Sequence, residues 1–66
     1  MLEFHHAESG QRFSVKASAI IAWAEEADNT TTLEIDRESY VAFVQVRESY
    51  DGVSAAYAAE QEGATS

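Results

Sequence analysis

Two clusters of carboxylates are the residues of this chain whose types and spacing point to chemistry. Glu34, Asp36 and Glu38 recur at every second position, and Glu25, Glu26 and Asp28 lie just upstream. On a β-strand a spacing of two puts side chains on one face, so the first set reads as a row of anions turned to solvent. A hairpin turning at Asp28-Asn29 brings the second set onto the neighbouring strand. Such a surface suits ion pairing with a basic partner, whose binding then weakens as salt screens the charges. The plainer reading is a solvated face that keeps a small protein soluble. Copying a row of phosphates is demanding. Carboxylates two residues apart on a strand are separated by about 6.8 Å, whereas a DNA strand advances about 3.4 Å per phosphate. Both clusters, joined by Glu3 and Glu8 or by helical acids, are needed to approach that charge density.

Other chemistry finds little support. His5 and His6 are adjacent, so on a strand they face opposite ways and do not easily share one ion. A zinc site needs three or four converging ligands, and no such cluster is written in the sequence. No Gly-x-Ser-x-Gly elbow and no glycine-rich phosphate loop occurs. A domain this short can hardly enclose a dry cleft. The expectation is a protein without catalytic residues, metal or cofactor. Trp23, Tyr40, Tyr50 and Tyr57 suit either core packing with the polar tip at the surface or anchoring in an interface. Trp23, beside Glu25 and Glu26, is the candidate anchor of an acidic interface.

Twelve acidic side chains face four basic ones in 66 residues, a formal net charge of -8, yet 45% of the residues are hydrophobic. That apolar content separates the chain from a disordered acidic tail. Its negative field disfavours nucleic acid or an anionic membrane as a direct partner and favours a basic protein surface. The length suits one domain, read here as residues 1–62 with 63–66 as a frayed tail. So small a core is marginal. Without cysteine it relies on packing, a partner or oligomerisation, as a monomer or a homodimer. Lack of cysteine fits a cytoplasmic protein. No apolar run approaches the roughly 20 residues that span a bilayer, and the N-terminus lacks the basic-then-apolar pattern of a secretory signal.

The elements that must position these residues follow from periodicity. Leu2 to His6 and Arg12 to Val15 alternate apolar and polar around a turn at Ala7-Glu8-Ser9-Gly10. They predict a hairpin with Leu2, Phe4, Phe13 and Val15 inside. Ala17 to Ala27 fits a helical stripe through Ala17, Ile20, Ile21, Ala24 and Ala27, and fits a strand equally well. Thr30 to Ile35 is β-branched and alternating. Asp36 to Ser39 is a polar turn. Tyr40 to Val46 is apolar on both faces, which predicts a central or helix-covered strand. Ser49 is a helix N-cap with Asp51 in the first turn. Tyr50, Val53, Ala56 and Tyr57 form the helix stripe, and Gly63 is its stop.

Gly10, Phe13, Val15, Ile20, Trp23, Glu25, Asp28, Leu33, Val46-Arg47-Glu48-Ser49 and Val53 together resemble the pattern of the small flagellar FlbD (SwrD-like) family. The departure is the longer Asp36 to Ser39 insert where that family has a tight Asn-Gly hairpin. The resemblance implies a turn at Lys16 to Ala19 followed by a strand, which decides the ambiguous segment, and a small structural or adaptor role that uses the helix face and Tyr57. A second likeness is one of class: small, acidic, cysteine-free phage proteins include anti-CRISPR and anti-restriction inhibitors, several of which look like DNA to a basic groove. The expected architecture is an α+β domain with one antiparallel sheet of four to five strands and a C-terminal helix on one face. The expected role is an inhibitor that occupies a nucleic-acid-binding surface through Glu25, Glu26, Asp28, Glu34, Asp36 and Glu38, with Trp23 as anchor.

Overall fold

The computed structural model describes residues 1–65, with side chains to Gln61. Alternation makes the first hairpin as expected. Strands β1 (Leu2–His5) and β2 (Arg12–Val15) pair antiparallel, with Leu2 opposite Val15 and Phe4 opposite Phe13. Gly10 closes the turn at φ 72°, a left-handed conformation that glycine adopts without a Cβ penalty, and donates its N–H to the His6 carbonyl.

The ambiguous segment resolves into a short 3-10 turn at Ala17–Ala19 and strand β3 (Ile20–Glu25). Strands β4 (Thr31–Asp36) and β5 (Val41–Val46) complete an antiparallel meander in the order β3-β4-β5. Asn29 turns the first connection at φ 67° and Glu38 the second at φ 71°. In both turns an aspartate accepts a backbone N–H two residues on: Asp28 from Thr30 and Asp36 from Glu38. Helix α1 (Tyr50–Thr65) begins at Ser49, whose Oγ accepts the Gly52 N–H at 3.1 Å. Ser49→Ala is expected to cost about 1 kcal/mol, read as a lower Tm in thermal unfolding; an unchanged Tm would remove the capping role. The helix passes through Gly63, where the sequence reading places its stop and a frayed tail. Glycine costs a helix interior only about 1 kcal/mol, and no proline follows to end it. Ser66 lies outside the described residues.

The expectation of one sheet is corrected. The molecule is α+β, but its five strands form two antiparallel sheets, β1-β2 and β3-β4-β5. The reason is burial. Folding the hairpin over the meander sets Leu2, Phe4 and Val15 in one cluster with Leu33, Ile35 and Val46, while Val53 of α1, Ala17 and Ile20 complete the core. The layers are joined where His6 bridges to Val46, Ala7 N–H donates to the Gln45 carbonyl and Arg47 N–H donates to the His5 carbonyl.

Glu48 fastens the same junction. Its carboxylate accepts the His5 backbone N–H at 3.1 Å and lies 2.8 Å from His5 Nδ1, and its carbonyl accepts the Thr31 hydroxyl at 2.8 Å. Burial by itself would raise the Glu48 carboxyl. The hydrogen bonds from His5 outweigh it and hold the group below the ordinary glutamate value.

Strand β5 is also corrected: it is an edge, and β4 is the central strand. Its second apolar face is not covered by the helix. Val41 and Phe43 point away from the core and are exposed.

Candidate protein-docking face

The meander buries one face and leaves the other open. Register places Ala22, Glu34 and Phe43 side by side across the three strands, with Ala24, Thr32 and Gln45 in the next row and Asp36 beside Val41. The core residues Leu33 and Ile35 occupy the alternate positions. Phe43 is 69% exposed, Tyr40 63%, Ile21 52% and Val41 44%. Ile21 sits at the irregularity between Ile20 and Ala22, where the β3 register shifts, so two apolar neighbours do not both turn inward.

Phe43 stands as a ridge between two depressions. One is a shallow groove of about 120 Å³ bounded by Ala22, Ala24, Thr32 and Glu34. The other is a wider cleft of about 480 Å³ that runs towards the first hairpin turn, with Glu8 and His6 on its far side. His6 is not free there: its ring packs on Phe13 with centroids 4.6 Å apart.

Hydrogen bonds fix the polar ends of this face. Gln45 Nε2 donates to Thr30 Oγ1 at 2.6 Å, the Thr30 hydroxyl donates to Asp28, and the Thr32 hydroxyl donates to Glu26 at 3.0 Å. The Thr30 hydroxyl, with the Thr30 N–H, holds the Asp28 carboxyl below the usual aspartate range. At the opposite end Asp36 is occupied by the Glu38 N–H. Glu34 differs. It is half-buried between Ala22 and Phe43, and among the described residues its carboxylate has neither a hydrogen bond nor an ion pair.

The six predicted acids are therefore only partly brought together. Glu34 and Asp36 share the open face, as their spacing requires. Glu38 has left the strand into a left-handed turn and does not extend the row. Glu25 pairs with Thr31 and so belongs to the other side of the sheet, at its exposed end. Glu26 and Asp28 form the β3–β4 turn. The two clusters lie at opposite ends of β4, whose six residues span about 17 Å. Among the described residues, none of the six is paired with an arginine or the lysine.

Trp23 faces inward. Its Nε1–H donates to Ser54 Oγ at 3.0 Å, and its ring packs against Tyr57 at 5.1 Å and Tyr50 at 6.4 Å between centroids. It seats α1 on the meander, and Tyr57, on the same helix face, is engaged with it. The exposed large apolar residues of the meander are instead Phe43, Val41, Ile21 and Tyr40, of which the sequence reading weighs only Tyr40, as an aromatic suited to packing or to an interface. For Val41 and Phe43 the signal is present in β5, whose apolar residues occupy both faces.

Among the described residues no three histidine or acidic side chains converge as a metal site, and no helix is long and apolar enough to cross a membrane. No protein-family model, curated protein or solved structure matches this chain.

Proposed function

We propose that this chain is a non-enzymatic binding module that docks the open face of its meander on a basic protein surface. The observation that carries the reading is Glu34. A carboxylate set between apolar side chains is desolvated further when a partner covers it, and that is unfavourable unless the partner supplies a cation or donors. Phe43, Val41 and Ile21 supply the apolar contact area around it. Glu26, Asp28 and Asp36 surround that centre with negative charge, which speeds encounter with a basic partner.

The finer reading is an inhibitor that occupies a nucleic-acid-binding groove, in the manner of DNA-mimicking phage inhibitors, inside the cytoplasm. Its support is the net charge of -8 on a folded chain. With an apolar centre between two acidic ends, such an inhibitor would fill a basic groove and not reproduce each phosphate. The adaptor reading draws on the helix face and Tyr57, both of which are used in packing against Trp23.

The test is affinity capture with the tagged chain, its Glu34→Gln variant and its Phe43→Ser variant, at about 0.05 M and about 0.5 M salt. Capture of a basic protein that falls with salt, and that drops about tenfold or more for either variant, is the expected result. Capture that ignores both salt and Glu34→Gln would remove the docking reading. Displacement of the captured protein by duplex DNA supports the groove-filling version, and its persistence in excess DNA removes that version.

A further inference from the structure

Strand β3 is the free edge of the meander: among the described residues its one strand neighbour is β4. An edge strand leaves a row of backbone N–H and C=O groups unpaired, and soluble proteins usually blunt it with lysine, proline or a covering element. The run Ile20-Ile21-Ala22-Trp23-Ala24 has no charge and no proline, and Ile21, Ala22 and Ala24 are exposed. Helix α1 meets β3 from the inner face, through Trp23 and Ser54. The other edge is treated differently, since the end of β5 is bridged by His6 and Ala7.

We propose that β3 accepts an extended segment of a basic partner as a fourth strand, and that a long cationic side chain of that segment crosses Ala22 to reach Glu34. The inference rests on the docking reading above and names how the partner is held. Strands lie about 4.8 Å apart, so a residue opposite Ala22 would sit about 9.6 Å from Glu34 across the sheet. An arginine and a glutamate extended towards each other bridge that distance, and the alanine between them leaves the path open. The main chain then supplies affinity and Glu34 supplies selectivity, as in other cases of strand addition. Phe43, next to Glu34 in register, offers an aromatic face to a guanidinium.

Charge selects this occupant over a second copy of the chain. Two copies paired through β3 would bring together two molecules of net charge -8 and would set beside Glu34 a strand with no cation, whose one charged residue is Glu25.

The experiment uses the full chain, labelled with nitrogen-15, and a blocked peptide about six residues long that alternates threonine and valine around a central arginine. A second peptide carries glutamine in place of the arginine. Binding of the arginine peptide is expected to shift the β3 and Glu34 amides and to slow exchange of the β3 amides. The glutamine peptide is expected to bind about tenfold more weakly. Ala22→Leu, at an exposed strand position, is expected to keep the fold and abolish the difference between the peptides. Ala24→Lys, which places a cation at the edge, is expected to weaken both. Equal binding of the two peptides, protection at β5 in place of β3, or a dimer in sedimentation that excludes the peptide would each overturn the proposal. If any of these outcomes is found while capture remains sensitive to salt and to Glu34→Gln, strand addition alone is lost. If Glu34→Gln captures as well as the unaltered chain, the docking face itself is lost.

Discussion

Leu33→Ala is expected to remove a large share of the stability of this domain. Leu33 is fully buried in the central strand, with Trp23 and Val44 as its register partners on either side. Its removal forfeits the transfer of a leucine side chain and opens a cavity that the flanking strands cannot fill, about 3–5 kcal/mol in comparable cores. Domains have about 0.05–0.15 kcal/mol of stability per residue, about 3–10 kcal/mol for a chain of 66 residues, so the loss is a third or more of the whole. No disulfide limits the unfolded state, since the chain has no cysteine. Circular dichroism with urea titration is the check, and a variant that keeps a cooperative transition at the original midpoint would refute it. Phe43→Ala gives the contrast. Phe43 lies on the open side of the same sheet and should cost under about 1 kcal/mol, so a binding defect there is not a folding defect.

Removing the Glu48 carboxylate has the second largest effect. Glu48→Ala strips the His5 N–H and His5 ring of their acceptor at the seam between the two sheets, at an expected cost of about 2–3 kcal/mol. The pH dependence has a definite sign. Because the folded state holds this carboxyl below the ordinary glutamate value, its contribution is complete above that value and is lost as pH falls through the lowered one. Stability of the unaltered chain should therefore fall on acidification below about pH 4.5, the unshifted value. Glu48→Gln should flatten the fall. Asp28, held low by Thr30, contributes with the same sign in both proteins, so the difference between their slopes isolates Glu48. Equal slopes in urea unfolding across that range would show that the seam does not depend on this charge.

Much of the fold was legible because alternation is a local property. The hairpin, β4, β5 and the Ser49 cap each declare themselves within a few residues. The segment from Ala17 to Ala27 was ambiguous because alanine, which dominates it, satisfies both periods. Tertiary packing settled it, through Ile20 and Trp23 turning inward to the core and the helix. The division into two sheets was not legible, since it depends on which hairpin covers which apolar face. The same non-local choice misled the reading of β5: an apolar residue on a second face signals a covering element only if the fold provides one. Among the acids, the spacing of Glu34 and Asp36 was informative because both stay on one strand. Glu38 lies one step beyond the strand end, where the backbone turns left-handed and the two-residue rule lapses. Trp23 was read from its acidic neighbours in sequence, but in the fold it meets Ser54 and Tyr57 of α1 on the inner side of the sheet.

The junction between His6 and Val46 also governs how this chain acquires its shape. The first hairpin cannot be sealed until the last strand exists, so early contacts must await partners some forty positions away. Closing so large a loop carries an entropic barrier before any reward arrives. Refolding should therefore be slow for so few residues, in the millisecond range and not the microseconds of small helical bundles. During synthesis, Leu2 and Phe4 remain uncovered until β5 and the start of α1 have emerged.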